Sequence, residues 1–509
     1  MSNIPLASER MNDVPSPISG GVMDVEHVVP EPAERVGGPL HLDLQAAPAE
    51  RPRHSAEKRD AETRVAIKLD QFPSLIGAAY DRALRASRRA DDPLLGLFSA
   101  HRDSTQIPPE ASMAKLDSVS RIRPRASAPR IGLNLLYLVP GRVGGTEVYA
   151  RRLVRALADR HPDWEWVAYC GSDARSALED EQWPSNVQLV STPRPSAEKG
   201  SRAVFELSWL AVRAARDRVQ LLHSLGTTSP LVTRCARVVT VHDLIYLHYP
   251  DTFPPAARLA LKVMVGPGAR RAHRVIADSQ AGKADIAAHL GVPADRIDVA
   301  HLGCNITRVE PSAESDVRTR YSLRGARVCL CVSAALVHKN LDALIAAFGR
   351  LAASREDLAL VIAGHAGREH DRLRAVADAT GHGSRIVLTG WISDPDLEAL
   401  YGLATCCVYP SLLEGFGLPV LEAMGRGVPI ACSDASSLPE VAGDAAELFN
   451  GRDVLSIARA IERLLDDRER VRDLVERGLD RVARFTWDGC AVATLASYEL
   501  ALRPGHGRR

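Results

Sequence analysis

A short apolar run, Thr405–Tyr409, stops at Pro410 and passes into Ser-Leu-Leu-Glu-Gly-Phe-Gly-Leu-Pro-Val-Leu-Glu-Ala-Met-Gly-Arg-Gly over residues 411–427. The run has the length of a buried parallel strand. Gly415 and Gly417 permit a tight loop that brings backbone close to whatever it faces. Pro419 suits the first position of a helix, and Gly425 and Gly427 suit its far end. Strand, glycine loop and helix in that order set free N–H groups and a partial positive charge at a strand's end, where a phosphate or another anion is held. Two carboxylates, Glu414 and Glu422, frame this cradle. Beside a phosphate they would repel it. Either they accept hydrogen bonds from neutral sugar hydroxyls flanking the phosphate, or Glu414 caps the helix and Glu422 favours its dipole.

Composition narrows the field. With 509 residues there is room for two or three domains. Lys plus Arg number 64 against 63 for Asp plus Glu, so no charge surplus points to nucleic acid, and none is expected as a partner. Apolar runs fall short of a membrane span. The start, Met1-Ser2-Asn3-Ile4-Pro5, lacks a basic-then-apolar leader, and a cytosolic location is expected. Nine cysteines, an odd number without C-x-x-C pairs, include Cys329, Cys331, Cys406 and Cys407 inside apolar runs. They read as reduced core thiols.

Residues 1 to about 60 are rich in Pro, Glu, Ala and Arg and read as a disordered tail. From Ala61 to about Ala100 the pattern is helical, with Leu69, Ile76, Tyr80 and Leu84 among Arg and Asp. This predicts a packed or partner-docking helix, or one lying on a membrane surface through Arg85, Arg88 and Arg89. The whole extension covers 1–128. From 129 onward strands and helices alternate, which predicts parallel sheets with ligands outside the carboxyl ends of their strands. The first Rossmann-like domain is assigned to 129–305. It opens with strand Ile131–Tyr137, loop Pro140–Thr146 and helix Glu147–Arg160. Gly144 and Gly145 make that loop either a phosphate-approach loop or a common turn, and the full dinucleotide fingerprint is lacking. A later strand, Ala236–Val241, runs into His242-Asp243. The histidine either meets a ligand there or is hydrogen-bonded within its loop. Asp243 either orients it or caps the next turn.

A linker is assigned to 306–326, a second Rossmann-like domain to 327–484 and a closing helix to 485–509. Lys339 stands at a helix start, where the dipole disfavours a cation unless a bound diphosphate offsets it. Ser436-Ser437-Leu438-Pro439-Glu440 reads as a serine-capped helix start with Glu440 as a capping residue.

Glu414 and Glu422, eight apart around Gly-Phe-Gly-Leu-Pro, resemble the E-x7-E signature of retaining glycosyltransferases of family 4. The resemblance covers roughly Arg130 to Leu502. It implies the GT-B architecture, an α/β fold of two Rossmann-like domains facing a cleft, preceded here by the disordered and helical extension. It implies a nucleotide diphosphate sugar as donor and no other cofactor. By the same resemblance Gly144, Gly145 and Thr146 lie over the diphosphate and face the acceptor, and His242 lies by the transferred sugar. Lys339 would hold the diphosphate with help from His338. Gly415, Phe416, Gly417 and Leu418 form the donor cradle, Glu414 takes sugar hydroxyls and Glu422 takes the ribose. Trp391 is either at the base-facing edge or in the core. Relatives often carry an arginine at the position of Ser333, and its loss leaves the phosphates more dependent on Lys339.

The implied reaction transfers a sugar, with mannose from GDP-mannose favoured by the His-Asp-Leu and Lys-Asn pairs. The acceptor would be a hydroxyl of a glycan or lipid-linked glycan, reached at the inner face of a membrane. Reading no Asp-x-Asp motif in the chain, we expect metal-independent transfer, with Lys339, the helix start at Leu418–Pro419 and the Gly144 and Gly145 amides stabilising the leaving group. Two other readings compete. A dinucleotide-dependent oxidoreductase needs G-x-G-x-x-G with an acidic residue about 20 further on, and neither strand–helix loop supplies it. A catalytically silent nucleotide-sugar-binding or partner-docking protein would bind donor without consuming it.

Overall fold

A computed structural model describes residues 128–141, 144–193, 195–197, 199–304, 306, 308–365 and 367–503. The expectations for the extension, including Arg85, Arg88 and Arg89, and for Arg142, Val143 and Asn305 lie outside the described residues.

Seven strands form the first sheet: β1 (Arg130–Asn134), β2 (Glu165–Cys170), β3 (Val187–Ser191), β4 (Leu221–Ser224), β5 (Ala236–Val241), β6 (Arg274–Ala277) and β7 (Ile297–Val299). Six form the second: β8 (Arg327–Val332), β9 (Leu358–Ala363), β10 (Ile386–Gly390), β11 (Ala404–Tyr409), β12 (Ile430–Ser433) and β13 (Glu447–Phe449). Their spatial orders are β3-β2-β1-β4-β5-β6-β7 and β10-β9-β8-β11-β12-β13. Every pairing is parallel. Helices cover both faces of such sheets, which is why strands such as β4, β6 and β9 are buried along their whole length and why β9, Leu-Ala-Leu-Val-Ile-Ala, reads as an unbroken apolar run. Both orders reverse at one place, between β1 and β4 and between β8 and β11. That reversal opens a crevice at the carboxyl ends of the strands.

Five helices position the site: α1 (Gly145–Arg160), α2 (Gln280–Leu290), α3 (Leu341–Ala352), α4 (Leu418–Gly425) and α5 (Trp487–Leu502). The first, α1, buries Tyr149, Leu153, Val154 and Leu157, one stripe at helical spacing. The last, α5, belongs spatially to the first sheet. Its Tyr498 hydroxyl lies 2.7 Å from His223 Nδ1 on β4, and its Trp487 ring packs near Tyr149 of α1. All nine cysteines are free, and seven are buried.

The segment 306–326, assigned as a linker, contains helix Glu314–Arg320, and Ser312, Arg320 and Tyr321 all hydrogen-bond Asp396 of the second domain. Two local expectations change. One Asp-x-Asp triplet does exist, Asp394-Pro395-Asp396, and the sequence reading passed over it. Those three hydrogen bonds make Asp396 a structural anchor at the start of helix Asp394–Leu403. Ser437 does stand at a helix start, but its hydroxyl makes no cap bond there; it points elsewhere.

Candidate active site

Because β8 and β11 are neighbours, the loops that leave their carboxyl ends meet. The β8 loop makes one tight turn, Val337–Lys339, and Asn340 then takes a left-handed conformation (φ 58°) before α3. Its amide donates to Pro410 O at 3.2 Å and Gly451 O at 2.7 Å, which locks the two loops together. Lys339 therefore precedes α3 and does not lie within it. Lys339 Nζ donates to Glu414 Oε1 at 2.6 Å and to the Tyr409 hydroxyl at 2.9 Å. That hydroxyl donates to the same carboxylate oxygen at 2.8 Å. Burial pushes the Glu414 carboxyl up, but the Lys339 charge and hydrogen bonds from Lys339, Ser411 and Tyr409 outweigh it and hold Glu414 below the usual carboxylate range.

The loop between Glu414 and α4 is held from below. Ser436 and Ser437 hydroxyls donate to Glu414 O at 2.8 and 3.1 Å, and Ser437 also donates to Phe416 O at 2.6 Å. The two serines thus hold the glycine loop in place of capping their own helix. Gly417 sits at φ 116° ahead of α4, a conformation costly for any residue with a side chain. Phe416 turns its ring inward, buried against Phe485 and His301, so only its backbone borders the cradle. Gly415 is small for a reason other than ligand approach: a Cβ there would stand 1.9 Å from His242 O, a carbonyl of the first domain.

His242 follows β5 on the other side of that contact and is buried. Its Nδ1 lies 2.8 Å from Asp278 Oδ2, and its Nε2 lies 2.8 Å from Leu225 O. Both ring nitrogens are therefore occupied by the protein. Burial alone would push the imidazole down; the Asp278 charge and hydrogen bond, with the Leu225 carbonyl, outweigh it and raise His242 above its ordinary value. Asp243 does not orient the ring. It accepts from Ile245 N at 3.0 Å and caps the next turn. Gly144 and Gly145 lead α1 towards the second domain, and a Cβ on Gly145 would stand 3.8 Å from the Leu418 side chain. The Thr146 carbonyl is taken by the Tyr137 hydroxyl at 2.8 Å. A cavity of about 20 Å³ between the domains is bordered by His242, Asp243, Ala281, Glu414, Gly415 and Ser436.

The remaining candidates separate. His338 is buried, and burial followed by the Lys339 charge pushes it down to about 4. It is neutral at pH 7 and adds no positive charge for a diphosphate. Trp391 is 77% exposed, which rules out the core. Ser333 is buried and its hydroxyl donates to Ala334 O at 3.2 Å. Glu422 on α4 is half-buried, and burial raises its carboxyl against the opposing charge of Arg426. Arg426 commits its guanidinium to Glu398 at 2.8 Å and to the Tyr401 ring. Glu440 caps a helix, though not its own. Its carboxylate accepts from Gln280 N at 2.9 Å and Ala281 N at 3.3 Å, the start of α2 in the first domain, and lies 2.6 Å from His301 Nε2.

Comparison with known proteins gives this geometry a family. The profile described as "Glycosyltransferase Family 4" matches residues 143–308, and the profile "Glycosyl transferases group 1" matches 318–481. The chain is 31% identical over 266 residues to the O-antigen chain mannosyltransferase B of Escherichia coli, across 52% of this chain and 70% of that one. It is 30% identical over 419 residues to the MMP alpha-(1->4)-mannosyltransferase of Mycolicibacterium hassiacum, across 73% of this chain and 98% of that one. The chain is a family 4 glycosyltransferase. Among solved structures, the glycosyltransferase superposes on sucrose-phosphate synthase from Thermosynechococcus elongatus with a TM-score of 0.57 at 21% identity, over 73% of this chain and 98% of that one. It superposes equally on Anabaena HepE, solved with UDP and glucose, with a TM-score of 0.56 at 19% identity, over 73% and 99%. The fold is GT-B.

In this glycosyltransferase the roles of four residues escaped sequence reasoning. Asp278 holds the His242 ring, Tyr409 joins Lys339 to Glu414, and Glu440 bridges the domains. Glu206 is buried beyond β1 and β4, where Asn134 Nδ2 and Thr228 Oγ1 donate to it. Tyr409 and Asp278 each stand at or just past a strand end, and that position was the available signal. Glu206 and Glu440 act across long sequence separations and carried none.

Proposed function

We propose that this glycosyltransferase moves mannose from GDP-mannose to a hydroxyl of a glycan or lipid-linked glycan, with retention of the anomeric configuration. The observation that carries the reading is the Lys339–Tyr409–Glu414 cluster beside the start of α4. In the ligand-free molecule Glu414 neutralises Lys339. A donor diphosphate takes the lysine in its place, and the released carboxylate accepts from the sugar hydroxyls. Lys339 and the α4 amides then face the diphosphate as it gains charge, so they stabilise the transition state more than the ground state. The bond from the anomeric carbon to the diphosphate breaks, a bond to the acceptor oxygen forms on the same face, and the acceptor's proton passes to the departing phosphate oxygen. His242 takes no proton in this scheme, because both of its ring nitrogens are engaged by Asp278 and the Leu225 carbonyl. The mannose assignment draws on the two mannosyltransferase relatives. Closure of the two domains over bound donor would exclude water and protect the donor from hydrolysis.

No helix among the described residues is long and apolar enough to cross a membrane. The reading includes a lipid-linked acceptor met by peripheral contact at the inner face of a membrane.

A panel of nucleotide sugars tests the assignment. GDP-mannose should raise the melting temperature most, since ligand at about a hundred times its Kd adds roughly 2.7 kcal/mol. Incubation with an acceptor glycan should then release GDP and give an α-linked product by NMR. A larger shift with a UDP-sugar, or binding without GDP release, would overturn it.

A further inference from the structure

We propose that His248, Asp285 and His289 form a binding site for a borderline transition-metal ion, with Zn²⁺ as the fitting example. Asp285 and His289 are four apart on α2 and share one face. His248 ends the short helix Ile245–His248, which follows the His242-Asp243 strand end. Their donor atoms all lie within 4.8 Å of one another. Asp285 Oδ1 is 2.8 Å from His248 Nε2 and 2.8 Å from His289 Nδ1, and His289 Nδ1 also lies 3.0 Å from Asp285 O.

Two imidazoles and one carboxylate are a donor set for zinc, copper or nickel; magnesium and calcium prefer oxygen throughout. Metal–ligand bonds of about 2.0–2.2 Å at tetrahedral angles set donor atoms about 3.3 Å apart. The two Asp285–imidazole spacings of 2.8 Å must therefore open by about half an ångström, with all three donor atoms already within 4.8 Å of one another. The side chains are 31%, 21% and 46% exposed, so rotation suffices and solvent supplies the fourth ligand. Part-exposed ion pairs contribute about 0–1 kcal/mol, so stability gives little reason for two histidines around one aspartate. A metal would give one.

The location adds a consequence. Tyr249, next to His248, packs against His338 of the second domain, and α2 receives Glu440 at its start. The ion would fasten together the two first-domain elements that reach across the seam. The site does not depend on which sugar is transferred.

The test is calorimetric titration of ZnCl₂ into the full-length protein and into a His248→Gln/His289→Gln double variant. The chain carries 16 histidines and nine cysteines, so the difference between the two proteins is the readout. Wild type should bind one more equivalent, and Zn²⁺ should raise its melting temperature. Asp285→Asn should weaken that site by roughly tenfold or more. Co²⁺ should give visible ligand-field absorption that the double variant lacks. Equal stoichiometry and equal thermal shift in both proteins would overturn the proposal, as would an equal response to MgCl₂. The variants change two exposed histidines and a half-buried aspartate, and matching far-UV circular dichroism without metal confirms that each is folded.

Discussion

Each domain builds an acid–base pair at the carboxyl ends of two neighbouring strands, after β5 and β6 in the first and after β8 and β11 in the second, and uses it differently. In the second, Lys339 and Glu414 come from the two loops at the strand-order reversal, keep 15% and 11% of their side chains exposed and neutralise each other directly. In the first, His242 and Asp278 are 8% and 4% exposed, and the second nitrogen of the histidine is spent on Leu225 O. The His242 ring has no nitrogen left for a ligand, whereas the Lys339–Glu414 pair can trade its internal bond for bonds to a substrate. One side is a fixed pair and the other an exchangeable one. The seam between them is narrow, since Gly415 lies so close to His242 O that only a hydrogen fits.

The largest expected effect separates the exchangeable pair from the rest. Glu414→Ala should abolish transfer, a loss of about a thousandfold or more, with far-UV circular dichroism unchanged, and Lys339→Ala should cost about a hundredfold in kcat. Normal turnover by either variant would remove that pair from the chemistry.

A smaller effect tests the fixed side. In the wild type His242 keeps its proton at a pH where the unfolded chain has lost its own. Its contribution to stability is therefore complete below about pH 6.5 and fades as pH rises through the raised value. Asp278→Asn removes the charge behind that shift and leaves burial to dominate. The variant should lose about 2 kcal/mol near neutral pH. Its remaining dependence should reverse, with stability falling as pH drops through about 6.5. Melting temperatures from about pH 5.5 to about pH 8.5 would show the crossing; parallel curves would mean that Asp278 does not set the state of His242.

The smallest expected change is at Glu440→Gln, which keeps the shape and loses the charge at the start of α2. About 1 kcal/mol of interdomain contact should go. Faster hydrogen exchange at the Gln280 and Ala281 amides, with a higher KM and little change in kcat, would sharpen the contrast between holding the domains and doing the chemistry. Unchanged exchange at those amides would show that the bridge contributes nothing to closure.

Much of the α/β architecture was legible because parallel strands buried on both faces must be continuous apolar runs, and glycine loops between strand and helix mark the ligand-binding edge. Local chemistry could also be read at Lys339 and Glu414, since each is odd in its own loop. His242 was legible as a strand-end histidine, but its hydrogen-bond partners were not. Asp243, adjacent in sequence, was an obvious candidate to hold it, yet the extended chain turns that side chain towards Ile245 N and leaves the ring to Asp278. Ser437 and Glu440 misled in the same way. Their local pattern is that of a helix start, while their bonds go to the glycine loop and to the other domain.

Residue order alone decided the two-sheet plan, the loop that cradles an anion and the acids that flank it, because these follow from periodicity and from backbone conformations open to few residue types. Tertiary structure alone decided which charges meet. Groups 36, 75 and 160 positions apart form the pairs His242–Asp278, Lys339–Glu414 and the Gln280 N–H with the Glu440 carboxylate, and only the tertiary fold can bring such groups together. Electrostatic contacts act over a few ångströms of space, and separation along the chain does not measure that distance.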